Sequence, residues 1–301
     1  MWLSVILCES SEQFKPLAVN DLIKTPQAMK NRQFTQSDSD SYNRDGYVIK
    51  RSFFSPDEAE LLLNASIDDE NIKKHTFGRE DSGGTETKLA LWYNHGEDIY
   101  GAFSKNEFII DAVEMLLGGR TALYHTKVMQ KEPRVGGAWE WHQDYGYWYK
   151  NGFLFPSMMS VMIALTAANK KNGCLQVLKG SHALGRIEHS LVGGQNGADM
   201  ERVNQALKIF ELVYVELEPG DTLFFDANLL HCSSRNESDT ARWSIISAYN
   251  LASNKPYLDE PASSYTPVNK LPDKTIHDFA TRKISADADF LNPVNDKSLQ
   301  K

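Results

Sequence analysis

The stretch Trp139-Glu140-Trp141-His142-Gln143-Asp144 sets an imidazole and a carboxylate two residues apart on what reads as a β-strand, where period-two geometry turns both to one face. A second histidine, His231, closes the apolar strand 222–230, and Arg242 opens the strand after it. Two histidines and one carboxylate can occupy one triangular face of an octahedral iron, leaving three adjacent positions for a bidentate cosubstrate and dioxygen. An isolated H-x-D carries little weight, because it usually marks a surface loop or a satisfied core histidine. Here the other parts follow in order: the distal histidine at a strand end, the Ser233 hydroxyl two residues on, and Arg242 beyond. A guanidinium pairs with a carboxylate through two parallel hydrogen bonds and a hydroxyl adds a third, which is what a dicarboxylate cosubstrate needs.

The elements that must position these groups are legible from about residue 36. Ser55-Pro56-Asp57-Glu58 supplies an N-cap, a proline for the first helical turn and two early acids, so a helix starts there. A second helix is expected over 107–117, stopped by Gly118-Gly119. The chain then turns to strands at 121–130, 139–144, 158–166, 174–178, 213–216, 222–226 and 243–250, punctuated by turn residues such as Asn172-Gly173 and Pro219-Gly220-Asp221. There is no internal repeat, and strands and helices do not alternate regularly, which argues against a parallel α/β sheet. The pattern predicts a mainly β fold with flanking helices, a cupin-like jelly roll or double-stranded β-helix. Two polar, glycine-bearing insertions, 76–91 and 185–200, are candidates for a lid, the second running on into a peripheral helix over 201–210.

These residues resemble the phytanoyl-CoA dioxygenase family of iron(II)- and 2-oxoglutarate-dependent oxygenases, which includes ectoine hydroxylase. The likeness begins at Tyr42-Asn43-Arg44-Asp45-Gly46-Tyr47-Val48-Ile49, resumes in the His142-Gln143-Asp144 segment, and continues through Asn172-Gly173-Cys174-Leu175-Gln176-Val177 and Gly180-Ser181-His182 to His231-x-Ser233 and Arg242. The family's usual proline before Gly-Ser-His is Lys179 here, a loop change that touches no candidate ligand. The resemblance implies that His142, Asp144 and His231 bind Fe(II), that Ser233 and Arg242 hold the distal carboxylate of 2-oxoglutarate, and that O2 is the second cosubstrate. It also implies oxidative decarboxylation of 2-oxoglutarate to succinate coupled to hydroxylation of an unactivated C–H bond. Related halogenases lack the carboxylate ligand, so Asp144 selects hydroxylation.

Composition fits an enzyme of this kind. The 301 residues carry a net charge of -8 with no basic cluster, which argues against a nucleic-acid surface and for a small-molecule substrate. Three cysteines, Cys8, Cys174 and Cys232, form no metal spacing and an odd count, so a reducing, cytoplasmic setting is expected and Cys232 is read as packing. The apolar start Met1–Cys8 lacks a basic flank and is cut short by Glu9 and Glu12, so neither export nor membrane insertion is expected. The first 30 or so residues lie outside the resemblance. Residues 1–35 are expected to be a poorly ordered extension, with Met29 a candidate start, and 36–301 a single domain.

Substrate clues lie beside the ligands. The run Tyr145-Gly146-Tyr147-Trp148-Tyr149 could cage an ammonium group by cation–π attraction, with Trp148 and Tyr147 the leading candidates, or could serve packing alone. On the preceding strand His125 and Lys127 share a face; if that face is interior, they need a ligand partner, and if it is exposed they need none. His182 and His189 are read as structural. The segment 141–151 with Gly185-Arg186-Ile187-Glu188-His189 resembles the 2-aminoethylphosphonate dioxygenase branch, which makes that zwitterion the expected substrate. The alternatives are a hydroxylase of an osmolyte, amino acid or acyl-CoA, and, from another class, a cupin that only binds a ligand.

Overall fold

The computed structural model describes residues 32–299, so most of the expected N-terminal extension lies outside the described residues. Along the chain run α1 (Gln36–Asp45), β1 (Tyr47–Lys50), α2 (Pro56–Asp68), α3 (Glu70–His75), β2 (Phe77–Glu80), β3 (Glu86–Trp92), α4 (Ile99–Ser104) and α5 (Glu107–Leu117). The second half holds β4 (Thr121–Lys131), β5 (Trp139–His142), α6 (Asp144–Lys150), β6 (Met158–Ala164), β7 (Leu175–Leu178), β8 (His189–Val192) and β9 (Gln195–Ala198). After these come α7 (Met200–Ile209), β10 (Leu212–Val215), β11 (Thr222–Asp226), β12 (His231–Ser233), β13 (Arg242–Leu251) and α8 (Thr275–Asp278).

Local chemistry sets the helix ends. Thr35 and Asp38 cap α1 reciprocally, as Ser55 and Glu58 cap α2, each such cap contributing about 1 kcal/mol. Gly118 ends α5 with φ 75°, a left-handed conformation that a side chain disfavours. Beside the first cap, Arg32 is buried and ion-paired to Glu58 and Asp273, tying the start of the described chain to α2 and to the segment before α8. The helices cover one face of a seven-stranded sheet ordered β1-β11-β6-β13-β4-β3-β2. Phe53, Phe54, Phe103, Ile110 and Val113 pack there against Val128, Phe224 and Ile245. The central strand, β13, pairs antiparallel with both β4 and β6.

The expected closed, cupin-like double-stranded β-helix is corrected by this topology. The described strands form three open sheets: the seven-stranded one, a four-stranded one ordered β10-β7-β12-β5, and the β8–β9 hairpin. No ladder among them joins one sheet into a circuit with another, and with the helical layer the fold is a mixed α/β one. The physical reason lies in the short strands of the smaller sheet. β5 ends after four residues because the chain turns into α6, and β12 has only three, so few ladder positions exist from which hydrogen bonding could continue around a barrel.

Two local expectations also change. Asp144 is not on the strand with His142; it is the first residue of α6, and the aromatic run that follows has helical rather than period-two spacing. His231 does not close the strand 222–230 either: β11 stops at Asp226 and His231 opens β12 in the other sheet. The first insertion is the β2–β3 hairpin, whose turn is stapled by the buried Asp81 carboxylate to the N–H groups of Gly83, Thr85 and Ala138 and to Arg235. The second folds as β8–β9 and touches the first through Gly194 N–H and the Glu80 carbonyl, at 3.0 Å.

Candidate metal centre and substrate pocket

Two neighbouring strands of the four-stranded sheet and the first residue of α6 bring together three side chains up to 89 positions apart: donor atoms of His142, Asp144 and His231 all lie within 4.8 Å of one another, and all three residues are buried. β5 and β12 are paired with His142 directly opposite His231, so two adjacent strands present the imidazoles side by side, ring centroids 4.0 Å apart. The strand-to-helix corner then swings Asp144 beneath them, its Oδ1 3.7 Å from His142 Nε2 and 3.9 Å from His231 Nε2.

The tautomers are set by hydrogen bonds. His142 Nδ1 lies 2.8 Å from the Glu140 carbonyl and His231 Nδ1 2.8 Å from the Leu229 carbonyl. A carbonyl only accepts, so each Nδ1 carries a proton, and Nε2 is the nitrogen that each ring turns toward Asp144. Burial pushes the His231 imidazole down to about 3, which keeps it neutral. Burial opposes ionisation of Asp144, but the Lys127 ammonium and the His142 ring outweigh it and hold the carboxyl below the usual carboxylate range. Two imidazole nitrogens and one carboxylate, with a cavity beside them, are a donor set that fits Fe(II).

Two residues that sequence reasoning passed over fix this corner. Ser160, on β6 and almost fully buried, donates to Asp144 Oδ2 at 2.5 Å and so orients the carboxylate. Its signal was available: one hydroxyl in the apolar run Met158-Met159-Ser160-Val161-Met162. Gln143, between the two candidate ligands, donates to the carbonyls of Gly185 and Asn228 and accepts from Ile187 N–H, each at 2.7 Å. His189 accepts from Gln143 N–H and bonds the Ile187 carbonyl through Nδ1, a packing arrangement away from the donor cluster. Cys232 is likewise buried, its thiol pushed up to about 12 by burial.

The β4–β13 ladder places the rest. Lys131, Met129, Lys127 and His125 face Arg242, Ser244, Ile246 and Ala248 in register. At one end Arg242 is buried, its guanidinium lowered to about 10 by burial, with Nη1 on the Gly173 carbonyl and Nε without a partner among the described residues. Ser233 is buried in the neighbouring sheet, and Lys131, opposite Arg242, reaches across to the carbonyls of Ser233 at 3.4 Å and Ser234 at 2.5 Å. Lys131 extends the alternation that began with His125 and Lys127, a signal that also lay in the sequence.

At the other end a cavity with room for about 70 Å³ opens beside His142 and Asp144. His125, Lys127, Tyr147 and Trp148 all line it, so the face shared by His125 and Lys127 is interior. His125 is held neutral by burial, lowered to about 3, and its Nδ1 has no partner among the described residues. Trp148 packs edge-on to Tyr124 and His125, and the Tyr147 ring stands edge-on to His142 while its hydroxyl accepts from Asn196 N–H at 3.1 Å. Tyr149 faces outward under Arg186. Arg79 and Asp296, also on the cavity wall, are 217 positions apart and gave no sequence signal as a pair.

Open antiparallel sheets holding two imidazoles and a carboxylate at a cavity define the class, a non-haem iron oxygenase. The profile of the family described as "Phytanoyl-CoA dioxygenase (PhyH)" matches residues 42–244, and the chain belongs to that family. Among its relatives, L-proline trans-4-hydroxylase from Streptomyces griseoviridis is 28% identical over 233 residues, covering 71% of this chain and 86% of the relative. Ectoine dioxygenase from Halomonas elongata is 24% identical over 234 residues, covering 72% and 70%. The crystal structure of EctD from S. alaskensis with bound Fe shares the fold with a TM-score of 0.65 at 20% identity, over 79% of this chain and 88% of that one. The protein is a non-haem dioxygenase that uses Fe(II), 2-oxoglutarate and O2 and acts on a small metabolite. The relatives lie in the ectoine and proline hydroxylase branch, not the phosphonate branch expected from residues 141–151 and 185–189. No helix among the described residues is long and apolar enough to cross a membrane.

Proposed function

We propose that this enzyme hydroxylates an unactivated C–H bond of a small zwitterionic metabolite of the amino-acid or osmolyte kind. His142, Asp144 and His231 hold the iron, Arg242 and Ser233 bind the distal carboxylate of 2-oxoglutarate, and His125, Lys127, Tyr147 and Trp148 line the substrate. The observation that carries this reading is the buried convergence of the three donors, each imidazole with its Nδ1–H on a carbonyl and its Nε2 turned toward Asp144. Iron with 2-oxoglutarate and O2 supplies the oxidising power when bound. The protein's own part is positioning: Ser160 orients Asp144, the aromatic walls exclude water, and His125 offers an unpaired polar atom to the substrate. L-Proline and ectoine, the molecules named in two of the relatives, are both compact zwitterions, and a cavity walled by aromatic rings with a few charged groups suits such molecules. The purified enzyme supplied with Fe(II) and 2-oxoglutarate should form succinate in a substrate-dependent way on a panel of amino acids and osmolytes. His231→Ala should abolish that turnover; succinate yield and iron binding unaffected by the change would overturn the assignment.

A further inference from the structure

We infer that Arg79 and Asp296 together read the two charges of the zwitterionic substrate, the guanidinium taking its carboxylate and the Asp296 carboxylate its ammonium; this deepens the hydroxylase reading above and rests on it. Both side chains lie on the wall of the cavity that His142 and Asp144 also line. They are only 12% and 13% exposed and meet at 2.5 Å. Placing two charges in so little water costs more than an ordinary surface pair returns, so a merely structural pair is poorly explained by stability.

The hydrogen bonding is incomplete in a useful way. Arg79 spends one terminal nitrogen on Asp296, its Nε and Nη1 make no hydrogen bond among the described residues, and its planar group lies over the Phe77 ring. That leaves a guanidinium fixed in orientation with donors to spare for a second carboxylate. Asp296 meets Arg79 through Oδ2, while Oδ1 accepts from Ser298 N–H and Oγ, which holds the carboxylate in place.

Charge counting selects the ligand. Besides this pair, the ionised groups lining the cavity are Asp144, committed to the metal corner, and Lys127, which faces Asp144. The pair adds no net charge, so it complements a molecule that is neutral overall but carries both signs, and it opposes one with an excess of either. The ammonium end would lie among Tyr93, Tyr124 and Trp148, rings that favour a cation. Asp296 belongs to a C-terminal segment outside the residues matched to the family, laid along β3 by hydrogen bonds from Leu291 N–H to the Leu91 carbonyl and from Tyr93 N–H to the Asp289 carbonyl. Charge reading is therefore built partly from this chain's own appendage.

The test compares the proteinogenic amino acids and ectoine with their carboxamides, which lack the negative charge, and their N-acetyl forms, which lack the positive one. Binding is measured by anaerobic calorimetry on the enzyme loaded with Fe(II) and 2-oxoglutarate, so no turnover is needed. At least one zwitterion should bind the wild type more than about tenfold better than either derivative. Arg79→Gln should remove its advantage over the carboxamide, and Asp296→Asn its advantage over the N-acetyl form, with 2-oxoglutarate binding unchanged in both. The swapped Arg79→Asp/Asp296→Arg protein should regain thermal stability without regaining zwitterion affinity. No preference for any zwitterion in the wild type, or parallel weakening of zwitterions and derivatives alike in the variants, overturns the inference while intact 2-oxoglutarate binding preserves the hydroxylase reading. Absence of 2-oxoglutarate binding in the wild type would overturn both.

Discussion

Removing the Ser160 hydroxyl should weaken iron binding although Ser160 is not a candidate ligand. Its Oγ donates to Asp144 Oδ2 at 2.5 Å from a position 1% exposed, and the acceptor is an ionised carboxylate that is itself buried. Hydrogen bonds to charged groups contribute about 1.5–3 kcal/mol net, and Ser→Ala leaves the oxygen without its donor and without access to water. At about 1.4 kcal/mol per tenfold, Ser160→Ala should therefore lower Fe(II) affinity by roughly 10- to 100-fold, the range typical of groups that orient metal ligands. The change deletes one atom from β6 and adds no bulk, so the strand should stay in register with β11 and β13. Competition with a chromophoric chelator under anaerobic conditions measures the affinity directly, and kcat at saturating iron should recover most of its wild-type value. An unchanged iron affinity, or a loss of kcat that saturating iron does not restore, would refute the idea that Ser160 acts by holding Asp144.

Three further outcomes are expected. Arg242→Lys keeps the charge but loses the fork, so KM for 2-oxoglutarate should rise at least about tenfold in steady-state assays; an unchanged KM would shift the role toward Lys131. Trp148→Ala should weaken substrate binding and, because the ring is buried against Tyr124, should also destabilise the fold by about 3–5 kcal/mol in denaturant titrations, whereas Trp148→Phe should separate the two effects. Burial raises the Asp81 carboxyl, but Arg235 and three backbone N–H groups outweigh it and hold it below its ordinary value, so its stabilisation is complete above the unfolded value of about 3.9 and is lost as pH falls below that. Asp81→Asn should accordingly unfold at lower denaturant than wild type at pH 7, with the gap closing as pH drops below about 4; a gap independent of pH would show that the charge contributes nothing.

The chemistry was easier to read in the sequence than the architecture. His142, Asp144 and His231 could be picked out because a three-donor metal face restricts residue types tightly, and α2 and α5 because caps, proline and glycine act within a few residues. The start of β11 at Thr222 was placed correctly for the same local reason, just after Pro219-Gly220-Asp221. What failed depends on long-range pairing. Period-two reasoning placed Asp144 on a strand, yet a helix begins there, with Tyr145 N–H bonded to the Ala227 carbonyl and Gly146 N–H to the Gln143 carbonyl. Whether strands close into a barrel is decided by how many ladder positions remain at each edge, which turn chemistry does not encode. Arg79 and Asp296 meet only after the C-terminal segment has settled on β3, so no local pattern marks them as a pair.

The β4–β13 ladder also works as a ruler. Inward-facing residues on a strand recur about every 6.6 Å, so the three steps from Lys131 to His125 set roughly 20 Å between the Arg242 end of the ladder and its His125 end, which lines the cavity. Seven consecutive register pairs, from Arg242 opposite Lys131 to Ala248 opposite His125, keep that scale from stretching, and the bulge between Ala248 and Tyr249 lies just past the His125 end, where a slip in register moves none of the marks. Side chains at the His125 end can therefore be exchanged to suit a new metabolite while the spacing to the Arg242 end is held by backbone alone. Under the roles proposed above, a scaffold graduated this way lets substrate range drift without recalibrating the cosubstrate.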